Sequence, residues 1–380
     1  QELRRARRQA TALKAANSLY AEASAALDHG HLFRCRAALG ELTRKYPDTP
    51  WLKDGSRSDH LKEMRNATSN LGQYVTVSRS GRADFRTIQE AVTAVAEPNS
   101  LIEVLDQGVY RGPIVVEDDA RKGLVILGRG PELTAIDGIG KPACIRVEAE
   151  NVIISGFMVM NATKGILFSV PGGKVVNCAL VQDVRVGIEI QSSGIDIRNC
   201  AAANCMLYSQ VKVSDSALFD VYVSHESTLE NTAVFGSVDS AEVQKSCSLF
   251  NCLVTGDFAC VGSTDLDQCT VRGSVLPKPG ASGPLTIRDS ITGALSGPPP
   301  QQGISVRNSN IFAQRGSMPP GKFANVFRTD PGFANPLRGD FRLRKDSPCR
   351  GKASHGGDLG CHFTPGLTRA LELAGKWKIY

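Results

Sequence analysis

Residues 74–138 read YVTVSRSGRADFRTIQEAVTAVAEPNSLIEVLDQGVYRGPIVVEDDARKGLVILGRGPELTAIDG, and this stretch decides the fold. Val75 and Val77 alternate with polar neighbours, which predicts a short half-buried strand. Phe85, Ile88, Ala91, Val92 and Val95 then recur at helical spacing, with Asp84 or Thr87 available as N-cap, so a helix is expected near 85–96. Three apolar runs follow at 101–105, 114–116 and 124–127, each too short for a helix and bounded by Gly or Asp. A capping helix followed by closely spaced short strands is the opening expected of a right-handed parallel β-helix.

Outward from this stretch, one phrase repeats: an apolar residue, any residue, a polar residue, then Cys or another small residue. Its polar positions are Asn177, Asn199, Asn231, Asn251, Gln268, Asp289 and Asn308, with steps of 22, 32, 20, 17, 21 and 19 residues. A repeat of about twenty residues indicates a solenoid. Stacked coils lie ~4.8 Å apart, so Asn in one coil can hydrogen-bond Asn in the next. The one long step, from 199 to 231, is expected to hold an insertion or an extra strand, and it contains Tyr208, Phe219 and Tyr222. Cys178, Cys200, Cys252 and Cys269 each follow a ladder residue, where a small buried side chain is wanted. Parallel thiols on neighbouring rungs favour a reduced stack over disulfides.

The opening stretch also resembles the start of pectinesterases and of the wider pectin lyase-like superfamily. The matching residues are Val77, Gly81, Asp84-Phe85, Thr87 with the five residues after it, Gly108-Val109-Tyr110-Arg111, ILGRG at 126–130, Thr134 and Ile136-Asp137-Gly138. The resemblance implies the β-helix fold over 69–364 but, by itself, no activity. Residues 1–68 form a separate helical hairpin and linker. Tyr20, Ala23, Gly30, Ala37, Leu42 and YPDTPW at 46–51 resemble one tetratricopeptide-type hairpin, expected to serve as a cap or as a route to a protein partner. His29, His31 and His60 lie here at no metal-site spacing and are expected in solvated turns. The finish, with Asp330-Pro331-Gly332-Phe333 and Gly339-Asp340-Phe341, is similar to the terminal rung of many bacterial β-helix proteins. Residues 365–380 are expected to be a short amphipathic helix and tail covering the open end.

The composition narrows the function classes. Net charge is +6, with Arg4, Arg5, Arg7, Arg8 and Lys14 clustered at the front and the remainder nearly neutral. No basic face with interleaved aromatics marks a nucleic-acid reader. No apolar run approaches the ~18 residues of a membrane span. No CxxC occurs among the 11 Cys, so neither a zinc site nor a cofactor is expected. The chain opens on Gln1 rather than Met, as a fragment or processed form would.

In pectinesterases two aspartates serve as nucleophile and acid/base, beside an arginine and oxyanion-site glutamines. The resemblance carries the nucleophile onto Asp239 in Gly236-Ser237-Val238-Asp239, ahead of Phe250-Asn251-Cys252, and the acid/base onto Asp220. The chain departs from that pattern elsewhere. Ser240-Ala241-Glu242-Val243 replaces the aromatic-Gly continuation, Phe219 stands where a glutamine is expected, and no Leu-Gly-Arg-Pro phrase follows; Arg272 and Arg288 are the candidates for its arginine. A carboxylate without these partners loses much of its electrostatic help. Other acids, Asp118-Asp119, Asp183/Glu189 and Asp265/Asp267, are expected in turns or solvent. A calcium cluster would need Asp215, Asp220, Asp239 and Glu242 on one face.

The function expected is therefore a secreted, periplasmic or cell-surface module, non-catalytic or catalytically decayed, that binds polysaccharide along its flank through Tyr208, Tyr222 and Arg272. The alternatives are a carbohydrate esterase or polysaccharide lyase using Asp220 and Asp239, and a structural or sensor ectodomain.

Overall fold

The computed structural model describes residues 2–28, 32–46, 55–240, 246–314, 318–338 and 340–378. Helices α1 (Glu2–Asp28), α2 (Leu32–Lys45) and α3 (Gly55–Thr68) share a core of Ala16, Ala23, Cys35, Leu39, Leu42, Leu61 and Met64. The third helix occupies what the sequence offered as linker. It carries His60, whose Nδ1 lies 2.8 Å from the Tyr20 hydroxyl rather than in a solvated turn. Arg36 of α2 donates to the carbonyls of Leu71 and Gly72, which ties the helices to the first coil. The 47–51 part of the tetratricopeptide-like ending, with His29 and His31, lies outside the described residues.

Helix α4 (Ile88–Ala94) starts on Thr87, whose side chain accepts from Glu90 N while Glu90 reaches back to the Thr87 N–H. Asp84, the other candidate cap, instead accepts from Thr76. Ile88, Ala91 and Val92 close the end of the solenoid by packing into the core with Val77, Ile102 and Val104.

From Tyr74 on, the chain winds through about eleven coils of a parallel β-solenoid. Each coil adds a strand to a first sheet, turns a corner, adds one to a second sheet, bends, and adds one to a third. The coil that opens with Ile195–Arg198 turns at Asn199, pairs through Ala201 and Ala202 in the second sheet, and through Cys205, Met206 and Leu207 in the third. Inward-facing Val, Ile, Leu and Cys of all three sheets form one continuous core.

The first corner carries the ladder. Asn177, Asn199, Asp215, Asn231, Asn251, Gln268, Asp289, Asn308 and Asn325 all occupy it with φ between +44° and +53°. Asn and Asp tolerate this left-handed bend far better than other side chains with a Cβ. Asp215 was missed in the sequence. It splits the long step into two coils of 16 residues, so the step holds one extra strand per sheet rather than an inserted loop. Amide links join Asn199 to Asn177 (3.1 Å), Asn251 to Asn231 (2.7 Å) and Asn325 to Asn308 (2.8 Å). The ladder is thus a set of pairs interrupted by Asp215, Gln268 and Asp289.

The next residue turns inward and needs an acceptor for its N–H. Ser216 Oγ accepts from Cys200 N, Ser290 Oγ from Cys269 N and Ser309 Oγ from Ser290 N, at 3.0–3.2 Å. The thiols return the favour by donating to carbonyls, as Cys200 does to Val175 O and Cys252 to Leu229 O. Every described cysteine is free, and burial pushes Cys205 and Cys247 up to about 12, away from thiolate reactivity.

The C-terminal segment differs from expectation in position. Phe333–Asn335 pairs antiparallel with Asp340–Leu343 as a hairpin, not as a last parallel rung. Residues 349–377 then run back along the ladder corner. Ser354 donates to Asp289, His362 N and Thr364 engage Asn251, Thr364 donates to Asn231, and Arg369 reaches Asn199. Helix α5 (Pro365–Trp377) covers the outward alanines of the second sheet, Ala179, Ala201 and Ala217, and Lys376 pairs with Glu132. The helix covers this flank rather than the open end.

Two outcomes follow from this packing. Asn251→Ala removes the left-handed preference and three hydrogen bonds at a residue 1% exposed, and should cost about 2 kcal/mol or more in urea unfolding. Removal of residues 354–380 should uncover Ala179, Ala201, Ala217, Ala233 and Leu253, read as enhanced binding of a hydrophobic dye and a lower melting temperature.

Candidate functional site

Outward residues of the third sheet stack in a row: Arg146, Leu167, Glu189, Met206, Tyr222, Asp239, Ala259 and Leu276, each opposite the next. Tyr208 lies two residues beyond Met206 and stacks on Tyr222, with ring centroids 5.5 Å apart and planes tilted by 58°. Its hydroxyl donates to Met206 Sδ at 3.2 Å. This row brings together three of the five expected site residues, Tyr208, Tyr222 and Asp239.

Asp220 and Arg272 stand apart from it. Asp220 is a left-handed corner residue (φ +41°) between the second and third sheets, following Asn161, Asp183 and Asn204 at earlier turns. Its Oδ1 accepts from Ser237 N at 2.7 Å, as Asp257 Oδ1 accepts from Ser274 N at 2.6 Å. The Gly in Gly236-Ser237-Val238-Asp239 has the same local cause. A Cβ on Gly236 would sit 2.2 Å from Asp220 Oδ1, and Gly256, Gly273 and Gly293 repeat the close approach coil by coil. The Gly-x-Val-Asp likeness therefore has a packing explanation.

Asp239 pairs with Lys278 at 2.5 Å rather than with an arginine. Arg272 is exposed on a corner two coils further along, ~10 Å by coil spacing alone. Arg288 binds Asp265 and Asp267 on the first sheet, at 2.9 and 3.3 Å. Among the described residues no ion pair joins Asp220, Asp239 and an arginine, so the cleft required for the esterase reading is not assembled. The calcium cluster does not gather either: Asp215 is at the ladder corner, Asp220 at the next corner, Asp239 on the third sheet, and Glu242 outside the described residues.

Glu189 is the residue that sequence reasoning misplaced. Set aside as a turn or solvent acid, it is 4% exposed on the third sheet, with Lys164 Nζ at 2.9 Å and Gln191 Nε2 at 2.6 Å. A buried carboxylate requires such partners. The available signal was the Ile188-Glu189-Ile190 alternation, which fixes an outward acid on a strand.

A groove of about 510 Å³ opens on the first sheet where the coils are shortest, lined by Asp196, Gln210, Lys212, Glu226, Thr228 and Ser248. It has no aromatic surface, and Gln210 already donates to Glu226 at 2.8 Å. The tyrosine row offers the apolar ring faces and hydroxyl tips that the groove lacks.

Lys164→Met leaves Glu189 buried without its cation and should destabilise the protein by about 2–3 kcal/mol, the lower side reflecting the one-third exposure of Lys164. Glu189→Gln should cost clearly less, and paired urea titrations of the two variants check the order.

No protein-family model matches the sequence, and no curated protein does. Among solved structures, pectate lyase Pel9A superposes with a TM-score of 0.48 at 12% identity, covering 76% of this chain and 96% of that one. The pectin methylesterase from carrot gives a TM-score of 0.35 at 12% identity, covering 68% of this chain and 88% of that one. The coils, stacked in parallel on a left-handed polar corner, make this chain a parallel β-solenoid.

Proposed function

We propose that this chain is an extracytoplasmic polysaccharide-binding module without catalytic activity, and that the polymer lies along the third sheet across Tyr208 and Tyr222. The observation that carries the reading is the tilted contact of the two tyrosine rings, with Tyr208 37% exposed just beyond the strand that ends at Leu207. Two partly exposed rings in contact offer an apolar surface on which a ligand could pack. A sugar ring has an apolar C–H face and a hydroxyl rim, which matches a tyrosine ring with its hydroxyl tip. Gln191, Asp239 and Lys278 flank the pair as hydrogen-bonding groups. The tail occupies the second sheet, so the same polymer could not lie there.

Among the described residues Asp220, Asp239 and an arginine are held by separate partners, which supports the non-catalytic half of the reading. Asp239 has its carboxylate against a lysine and Asp220 has its own against a backbone N–H.

Affinity electrophoresis in gels cast with a panel of polysaccharides tests the reading. At least one polymer should retard the protein, and Tyr222→Ala should weaken that retardation by about tenfold, ~1.4 kcal/mol. Methanol release from esterified pectin should stay at background for the wild type and for Asp239→Ala alike. Release by the wild type that vanishes in Asp239→Ala would establish an esterase instead.

A further inference from the structure

The charges around the tyrosine pair discriminate between polymer classes. Among the described residues, the cations on or beside the tyrosine row are Arg146, Lys164 and Lys278, while Arg185 and Lys141 are exposed on third-sheet strands away from the row, Arg185 four residues before Glu189. Each of the three on the row already has a carboxylate. Arg146 lies 3.4 Å from Glu148 and 3.9 Å from Glu117, Lys164 lies 2.9 Å from Glu189, and Lys278 lies 2.5 Å from Asp239. A sugar carboxylate arriving on the tyrosine row would find both flanking lysines already paired and would face Asp239 directly beside Tyr222. Taking Lys164 for itself would strand Glu189, 4% exposed, as a buried charge without a partner. Hydroxyl groups meet no such penalty, because Asp239 and Gln191 accept and the tyrosine hydroxyls both donate and accept.

We infer that the face takes a neutral, hydroxyl-rich polysaccharide and discriminates against polyuronates; this rests on the binding reading above and adds the substrate class. Discrimination comes from closed ion pairs, Lys164–Glu189 and Lys278–Asp239, set on the same row as the tyrosines. The coil register places the two acids three coils apart, ~14 Å, with Met206 and Tyr222 between them. A chain stacked on Tyr222 along the row therefore meets a carboxylate towards either end.

Isothermal titration of the full chain with cellohexaose, xylohexaose, mannohexaose and hexagalacturonate, at low and at high salt, tests this. One neutral hexasaccharide should bind at least about tenfold tighter than hexagalacturonate, with little salt dependence. Asp239→Asn removes the facing carboxylate and releases Lys278, and should raise hexagalacturonate affinity several-fold in a salt-sensitive manner. Tightest binding of hexagalacturonate by the wild type, lost in Tyr222→Ala, would leave the binding site standing and overturn the neutral-sugar assignment. An Asp239→Asn variant with no gain for hexagalacturonate would overturn the charge account. Binding of no hexasaccharide, or binding indifferent to both Tyr208→Ala and Tyr222→Ala, would remove the site and the assignment together.

Discussion

The structure depends on a corner that must bend the wrong way for most amino acids. At each turn between the first and second sheets one residue takes a left-handed conformation, and the next points its N–H into the core. Asn or Asp makes the bend affordable, and Ser or Cys on the following rung receives the buried N–H. These two requirements account for the recurring polar-then-small phrase better than an amide ladder alone. They explain why Asp215-Ser216 and Asp289-Ser290 serve as well as Asn199-Cys200. The side-chain amide links between Asn pairs are an addition to a backbone geometry already enforced.

The same corner couples the solenoid to its C-terminal segment. Ladder side chains that have finished bonding within the stack still present oxygens outward, and the returning tail uses them: Asp289 for Ser354, Asn251 for His362, Asn199 for Arg369. The tail thereby satisfies buried oxygens and covers the alanine row of the second sheet in one pass. Small outward residues there are what allow a helix to lie close. The second sheet is consequently packed as a core, although it belongs to the outside of the coil.

How far the chain could be read in advance follows from the range of the interactions. The capping box at Thr87, the short strands after it and the coil period depend on neighbours within one turn, and all were legible. Asp215 escaped because the pattern sought an amide before a cysteine, when the physical requirement was a left-handed bend before a small inward group. The tail's path depends on contacts such as His362 with Asn251, 111 residues apart, which no local pattern encodes. Glu189 looked like a solvent acid because its burial comes from Lys164 one coil away. Tyr208 and Tyr222 were picked out for lying in an insertion. They stack instead because the insertion is absent: two successive 16-residue coils place Met206 directly opposite Tyr222 and bring the rings to 5.5 Å.

Short coils have a further consequence for where a ligand can sit. A coil with no loops leaves its sheets bare, so the stretch from 195 to 231 is where the solenoid is slimmest and its strands least shielded. The first sheet uses that exposure for ion pairs, with Arg198 beside Asp196 and Lys212 beside Glu230. The second sheet gives it to the tail. Only on the third does the waist present aromatic rings, bracketed by acids that are each held by a lysine. The tyrosine contact leaves ring surface of Tyr208 in solvent, and the buried glutamate on the same outward row carries a desolvation penalty that Lys164 offsets. Both features occur on one row of one sheet.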